Sequence, residues 1–365
     1  MMITACMERK QRKQLEISIY LNKENTEVSD WLIASLTSLV RWKENGMFLI
    51  GVDLGGTQIR IGLFTEEGEL LDRKATLTKA EEGPTKVVER IKSLIHEISL
   101  PVIVKNGKES IGGIGIGCPG PLDVFEGIIM SPPNLPGWNR IPLKKLLEEE
   151  FQLSVYLNND ANAAVLGEYF FGSGKGKSNL VYLTLSTGVG TGIIDNGQLL
   201  LGQNGSSAEV GHMSLNPEGP LCGCGNRGCF EAFVSGTGIV RRAKALLEQD
   251  LESASALHEC EELTTKLIFD AAKKKDRLAL EIVEETRMYL GVALVNVIHL
   301  YNPSMIILGG GVSKVGAFLL EPAIQFAKER AMKLMADSLE FQLTQLGDDV
   351  GLIGAASLVK YHHQA

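Results

Sequence analysis

The sequence of 365 residues lacks any apolar stretch near the roughly 18 residues that a membrane-spanning helix needs. One apolar run, residues 31–40, is too short, and no signal cleavage site follows it. Basic residues are also few, since 36 Lys and Arg against 44 Asp and Glu give a net charge of −8. These absences exclude a generally basic surface for nucleic acid, although not a local basic patch, and they favour a cytoplasmic enzyme.

The sequence also lacks the phosphate-binding P-loop, because no segment reads G-x-x-x-x-G-K-[ST]. Its first glycine turn, Gly55-Gly56-Thr57, lies between two apolar runs of strand type, residues 48–53 and 59–64. A Rossmann fingerprint or a P-loop would need a helix after the turn. A strand, a glycine turn and a second strand instead predict a phosphate-binding hairpin, in which backbone N–H groups approach phosphate oxygens closely.

The same device occurs once more, and a third glycine turn follows a strand near the C-terminus. Residues 180–185 form a predicted strand, the turn Ser186-Thr187-Gly188-Val189-Gly190 follows, and residues 191–194 return. Two such hairpins in two halves of one chain predict a duplicated ATPase domain with nucleotide between the halves. A third strand, residues 305–308, leads through Gly309-Gly310-Gly311 into a helix predicted over residues 314–335. Each turn taken alone could be purely structural, and the third could be a simple helix entry.

The types and spacing of four residues predict a closed, tetrahedral zinc site. These residues are His212, Cys222, Cys224 and Cys229. The alternatives are a core histidine with three ordinary thiols, or a disulfide staple, which a long chain without a secretory signal disfavours. Glu209 and Glu231 flank the four residues and could be aimed at a polar ligand by the folded loop.

Two further segments carry polar groups suited to a small ligand. Residues 131–138, SPPNLPGW, form a rigid loop in which Asn134 offers both an amide donor and an acceptor, while Trp138 is assigned to packing. Asn158, Asn159 and Asp160 follow a predicted strand and precede an Ala-rich helix. A carboxylate at that junction can be a helix N-cap or a catalytic base, and the residues alone leave both open.

The pattern E-x-G-H followed by C-x-C-G-x-x-G-C-x-E resembles the signature of the ROK family of sugar kinases and repressors, and N-D-A-N-A-A resembles its catalytic motif. The resemblance runs from about residue 48 to the C-terminal helix. It departs from the family at Asn158, where Glu is frequent, and at Thr191, where Gly is frequent.

The resemblance implies an α/β fold of the actin-like, ribonuclease H-like ATPase type. Two domains with duplicated mixed sheets would enclose a cleft. Residues 47–161 with about 349–365 would form the smaller domain. Residues 162–348 would form the larger domain, which contains the zinc loop, residues 209–231. Helical spacing assigns residues 238–251, 261–275 and 277–301 to the scaffold and to a dimer surface.

The implied activity is ATP-dependent phosphorylation of a hexose at its hydroxymethyl oxygen, with glucose 6-phosphate entering glycolysis. Asp160 would be the base, Asp53 would hold Mg²⁺ through water, and zinc would be structural. The expected ATP-binding residues are Asp53, Gly55, Gly56, Thr57, Ser186, Thr187, Gly188, Gly190, Gly309, Gly310 and Gly311. The expected sugar-binding residues are Asn134, Asn159, Asp160, Glu209, His212 and Glu231.

Other readings stay open at this stage. The hexose could be N-acetylmannosamine, mannose, fructose or allose. The chain could also be a sugar-responsive repressor with a vestigial kinase site, or a zinc-stabilised sugar sensor without turnover. The resemblance further implies a homodimer or homotetramer, with no nucleic-acid or membrane partner.

Residues 1–46 lie outside the resemblance. One hypothesis is that the start codon was assigned too early and that Met47 is the first residue. The alternative is a short extension, partly helical over residues 28–42. No helix–turn–recognition-helix pattern is visible in it.

Overall fold

Two five-stranded sheets of matching topology lie at the centre of the structure, a computed structural model that describes residues 46–251 and 254–364. The strands of the first sheet are β1 (Phe48–Leu54), β2 (Gln58–Thr65), β3 (Leu70–Leu77), β4 (Ile111–Cys118) and β7 (Val155–Asn159). Those of the second sheet are β8 (Leu180–Leu185), β9 (Val189–Asp195), β10 (Gln198–Leu199), β11 (Met305–Gly309) and β12 (Glu340–Leu343). A two-stranded ribbon consists of β5 (Leu122–Asp123) and β6 (Ile128–Ile129).

Each sheet combines an antiparallel and a parallel part. Strands β1, β2 and β3 pair antiparallel, and β1, β4 and β7 pair parallel. Strands β8, β9 and β10 repeat the antiparallel part, and β8, β11 and β12 the parallel part. This repetition confirms the duplicated mixed-sheet architecture that the sequence predicted.

Helices cover the faces of both sheets. In the described part of the chain they are α1 (Pro84–Asn106), α2 (Leu143–Phe151), α3 (Asp160–Phe171), α4 (Phe230–Val234), α5 (Gly236–Gln249), α6 (Thr265–Lys273), α7 (Arg277–Tyr301), α8 (Ala317–Arg330), α9 (Lys333–Asp337) and α10 (Val350–Gln364). The central strands β1 and β8 are buried along almost their whole length, as expected for strands covered on both faces. None of these helices has the length and apolar character to cross a membrane.

The C-terminal helix α10 packs back on the first sheet, as the sequence predicted. A Cβ at Gly115 of β4 would lie 1.8 Å from the carbonyl oxygen of Ala355, so helix and strand touch through their backbones. The same helix crosses α3 closely, because a Cβ at Gly354 would lie 2.4 Å from the carbonyl oxygen of Ala163. Helix α3 begins at the end of β7 and packs under β9 of the second sheet, so it connects the two halves.

The prediction of one helix over residues 314–335 is wrong. The chain forms a short 3₁₀ turn, Ser313–Val315, and then the separate helices α8 and α9. Gly316 adopts φ 74° before α8, and Ala331 is extended after it. The N–H of Met332 then donates to His299 Nε2 at 3.0 Å, so a tertiary hydrogen bond replaces continued helix.

The predicted domain limits remain a prediction. The hypotheses about residues 1–45 lie outside the described residues.

Candidate active site

The first glycine turn lies against the predicted sugar loop. It connects β1 to β2, with Asp53 paired opposite Arg60 on the neighbouring strand. The N–H of Gly55 donates to the carbonyl oxygen of Gln58 at 3.0 Å, which closes the turn. A Cβ at Gly56 would lie 2.6 Å from the carbonyl oxygen of Asn134. The residues predicted to hold phosphate and sugar are therefore in contact here, and only glycine fits at that point.

The second and third glycine turns meet at the end of β8. A Cβ at Gly310, which has φ 86°, would lie 2.3 Å from the carbonyl oxygen of Leu185. The same oxygen accepts a hydrogen bond from the N–H of Val312 at 2.8 Å. Strands β8 and β11 are parallel neighbours, so their carboxyl ends bring the two turns together at one sheet edge.

A cavity of about 1000 Å³ opens beside these two turns. Its walls include Ser186, Thr187 and Gly311 of the predicted ATP site, and Thr237, Val240, Arg241, Lys244, Thr265, Lys266, Phe269, Lys273, Val312 and Lys314 from the surrounding helices and turns. Val240, Phe269 and Val312 supply apolar surface, and lysine and arginine side chains supply positive charge. Such a cavity suits a nucleoside whose phosphates extend toward the glycine turns.

Two helices that the sequence assigned to the scaffold and to a dimer surface, α5 and α6, line this cavity. The first turns of α5 and the body of α6 form its walls. The signal that could have found them is indirect. Parallel strands bring their carboxyl ends to one edge, and the helices that cover that edge must border any ligand bound there.

Asp160 is the first residue of α3, directly after β7. Its side chain keeps an open face toward solvent, while protein surrounds it on its other sides. This desolvation, with the negative charges of Asp53 and then Glu209, raises the pKa of Asp160 from 3.8 to about 6, although the N–H of Ala161 opposes the shift. An accessible carboxylate with a pKa near neutrality has the properties of a general base.

The helix cap belongs to Asn159 rather than to Asp160. Asn159 is the N-cap residue of α3, and its Oδ1 accepts from the N–H of Ala161 at 2.8 Å. The Oδ1 atom of Asp160 accepts from the same N–H at 2.8 Å. The amide nitrogen of Asn159 is the group left to meet a sugar.

The four predicted metal ligands converge. One ligand atom from each of His212, Cys222, Cys224 and Cys229 lies within 4.8 Å of the others. The Sγ atoms of Cys224 and Cys229 are 3.7 Å apart, and His212 Nδ1 lies 3.8 Å from Cys222 Sγ. A tetrahedral zinc site with Zn–S bonds of about 2.3 Å separates its sulfur atoms by roughly 3.8 Å. The geometry therefore fits zinc, and all four residues would bind it through thiolate or imidazole.

A disulfide in place of the metal does not agree with this structure, because all three thiols are free. Close backbone contacts hold this cysteine-containing loop around the four ligand residues and leave no room for a side chain at Gly228. Gly228 has φ 65°, and a Cβ there would lie 1.6 Å from the carbonyl oxygen of Asn216. His212 turns its other ring nitrogen, Nε2, toward Glu209, 4.0 Å from Oε2.

The side chain of Glu231 contacts two other parts of the protein. Its Oε2 accepts from the N–H of Val189 in the second hairpin at 2.9 Å, and its Oε1 lies 3.7 Å from Cys222 Sγ.

Trp138 is buried in the core of the first domain with Leu135, as the sequence predicted. Asn134 beside it is exposed and free to bind a ligand.

Arg60 is a site residue that the sequence analysis missed. Its Nε donates to Asp53 Oδ2 at 2.9 Å, and its Nη1 donates to the carbonyl oxygen of Asp348 at 2.8 Å. It thereby holds Asp53 in place and ties the first hairpin to the segment before α10. The hairpin register could have shown it, because a turn closed around Gly55 and Gly56 places Arg60 opposite Asp53.

Comparisons with known proteins agree with this architecture. The model of the ROK family matches residues 49–362. A glucokinase of Thermotoga maritima is 39% identical over 314 residues, which are 86% of this chain and 97% of that protein. A xylose repressor of Caldicellulosiruptor bescii is 33% identical over 315 residues, which are 85% of this chain and 77% of the repressor.

A solved structure shows the same fold with ligands bound. The crystal structure of a ROK family glucokinase from Streptomyces griseus in complex with glucose and AMPPNP superposes with a TM-score of 0.68. Its sequence is 34% identical, and the match covers 86% of this chain and 99% of that one. The two-domain actin-like ATPase fold predicted from the sequence is confirmed.

Proposed function

The chain belongs to the ROK family, and we propose that it is an ATP-dependent hexose kinase that converts glucose to glucose 6-phosphate. One observation carries the proposal. Asp160, a carboxylate with a pKa of about 6, lies near Asp53 at the end of one glycine hairpin and near Glu209 of the zinc loop. Phosphoryl transfer needs a held hydroxyl, a base for its proton and groups that bind phosphate, and this arrangement offers a candidate group for each of the three roles.

In the proposed reaction, Asp160 orients the hydroxymethyl group of the sugar and accepts its proton on a carboxylate oxygen. The sugar oxygen forms a bond to the γ-phosphorus of ATP while the bond to the bridging oxygen of ADP breaks. The glycine hairpins hold the phosphates through backbone N–H groups, and the cavity beside α5 and α6 takes the adenosine. Mg²⁺, held near Asp53 through water, would neutralise phosphate charge.

The remaining sugar hydroxyls would meet polar groups from three segments. Asn134 comes from the loop against the first hairpin, Asn159 from the start of α3, and Glu209, His212 and Glu231 from the zinc loop. Zinc in this arrangement would be structural, because four protein ligands leave no open position for water. Its contribution is to fix the direction of His212 and of the two glutamates.

A sugar-responsive repressor is the alternative from a different class, since a xylose repressor is among the relatives. A vestigial site would not require a carboxylate with raised basicity beside two intact glycine hairpins. Another hexose is the alternative within the same class, because glucose and its epimers differ only at single hydroxyls.

The decisive test is ADP release from ATP and Mg²⁺ with a panel of glucose, mannose, fructose, allose and N-acetylmannosamine. Sugar-dependent release with the highest kcat/KM for glucose is expected. A higher kcat/KM for another hexose would identify that hexose, rather than glucose, as the preferred substrate. Tight glucose binding without ADP release would favour the sensor or repressor reading.

The pKa of Asp160 predicts how activity depends on pH. The base must be ionised to accept a proton, and its pKa is about 6. We therefore expect kcat/KM to be level above that pH and to fall about tenfold per unit below it, because protonation removes the active form. Initial rates between pH 5 and 8 at saturating Mg²⁺ would measure this. A rate that is unchanged down to pH 5 would contradict the assignment of Asp160.

A further inference from the structure

We infer that the zinc loop also builds the nucleotide site, with Glu231 as the positioning residue that fixes the second phosphate hairpin, so that zinc and nucleotide binding are coupled. The zinc loop is defined here as residues 209–231. The inference rests on the proposed function. It adds a link between the metal and ATP that is independent of the sugar.

The first link is the side chain of Glu231. Its Oε2 accepts from the N–H of Val189, at the start of the return strand of the hairpin, at 2.9 Å. The fit is close, because a Cβ at Gly188 would lie 2.6 Å from the same oxygen. Hydrogen bonds to an ionised acceptor are stronger than neutral ones, so this contact can hold the turn in one conformation.

The second link is the chain itself. The zinc ligand Cys229 is the N-cap residue of α4, and only Ser235 separates α4 from α5. At that junction the N–H of Gly236 donates to the carbonyl oxygen of Ser186 at 2.7 Å. One residue later, Thr237 Oγ1 donates to the carbonyl oxygen of Thr187 at 2.9 Å. The segment that follows the last metal ligand is therefore hydrogen-bonded to the hairpin turn.

The third link returns from the nucleotide cavity to the zinc loop. Thr237, Val240 and Arg241 of α5 line the cavity. From this wall, Arg241 Nη1 donates to the carbonyl oxygen of Leu221, the residue before the zinc ligand Cys222, at 2.7 Å. Metal ligands, hairpin and cavity wall thus form one closed set of contacts.

The other glutamate of the loop provides a matched comparison. Glu209 lies 4.0 Å from His212 Nε2, and its side chain makes no hydrogen bond to the hairpin within residues 46–251 and 254–364. Both glutamates are expected to bind sugar, but only Glu231 reaches the phosphate turn. Substitutions at the two positions should therefore differ in their effect on nucleotide.

Coupling between two sites is reciprocal, so a zinc loop that orders the hairpin must also be stabilised by a bound nucleotide. Zinc removal should weaken nucleotide binding even when no sugar is present. Nucleotide should in turn slow the loss of zinc to a chelator.

The first experiment measures binding of AMPPNP with Mg²⁺ by calorimetry in the absence of sugar, together with the zinc content of each protein. We expect Glu231→Ala to weaken AMPPNP binding at least about tenfold, from the loss of one charge-assisted hydrogen bond. Glu231→Gln should stay within about threefold of the wild type, because its amide oxygen can accept the same N–H. Glu209→Ala should bind AMPPNP as the wild type does.

The second experiment follows zinc transfer from the wild-type protein to a coloured chelator, with and without AMPPNP. Slower transfer with AMPPNP, and loss of this protection in Glu231→Ala, are the expected results. Equal transfer rates, or equal AMPPNP affinity in Glu231→Ala and wild type, would overturn the inference and leave the kinase proposal intact. A wild-type protein that binds no AMPPNP would overturn both.

Discussion

Replacing Asp160 by asparagine is expected to lower kcat by roughly 10²- to 10⁴-fold, the range of a general base. Asparagine has nearly the same shape, and its Oδ1 can accept the N–H of Ala161 that Asp160 Oδ1 accepts at 2.8 Å. It cannot take a proton from the sugar hydroxyl. Glucose and nucleotide affinities should therefore change much less than turnover. Steady-state kinetics and calorimetry on the same preparation separate the two effects.

Asp195→Asn is the matched control for this substitution. Asp195 is an exposed carboxylate at the far end of β9, and its Oδ1 accepts from the side chain of Asn196 at 3.2 Å. It lies outside every segment assigned to ligand binding, so its variant should turn over as the wild type does. Turnover of Asp160→Asn within a few-fold of the control would remove Asp160 as the base.

The sequence predicted those elements whose patterns are local. Strand β8 and helix α7 were predicted with the bounds that the structure shows, Leu180–Leu185 and Arg277–Tyr301. In both, apolar residues follow one period without interruption, and turn residues mark the ends. The convergence of His212, Cys222, Cys224 and Cys229 was equally predictable, because candidate metal ligands are few residue types at short spacing.

The sequence could not predict what tertiary contacts decide. The break between α8 and α9 depends on a hydrogen bond from Met332 to His299, 33 residues away in the chain. The walls of the cavity beside the second and third glycine turns depend on how α5 and α6 lie over the ends of β8 and β11. Periodicity describes which face of a helix is buried, but not which ligand its end borders.

The contact between Glu231 and Val189 shows the same limit within a recognisable motif. Its place beside the cysteines predicted a group aimed at a polar ligand. The hydrogen bond to Val189 crosses 42 residues of sequence, and no spacing rule indicates it. Motifs therefore locate chemistry in this protein better than they describe how one site supports another.

Replacing Cys224 by serine is expected to remove most of the zinc and to weaken glucose binding by at least about tenfold, since changes at metal sites have effects of this size or larger. Cys224 is the exposed member of the ligand set, so its replacement leaves the core unchanged and tests the metal alone. Without the metal, the loop keeps the strand bridges between Ser214 and Cys229 and between Leu221 and Arg227, and backbone hydrogen bonds such as that from the N–H of Leu215 to the carbonyl oxygen of Gly228 at 2.7 Å. None of these contacts involves the side chain of Glu209 or His212, so we expect the direction of those two side chains to depend on the metal.

Cys260→Ser is the matched control, because Cys260 is a free thiol outside the zinc loop. Metal analysis should find about one zinc per chain in the wild type and in this control, and much less in Cys224→Ser. Calorimetry with glucose and thermal unfolding should both follow the zinc content. Retention of zinc and of glucose affinity by Cys224→Ser would contradict the four-ligand site. Loss of zinc with unchanged glucose affinity would instead separate the metal from the sugar, because the loop would then hold its glutamates and His212 through protein contacts alone.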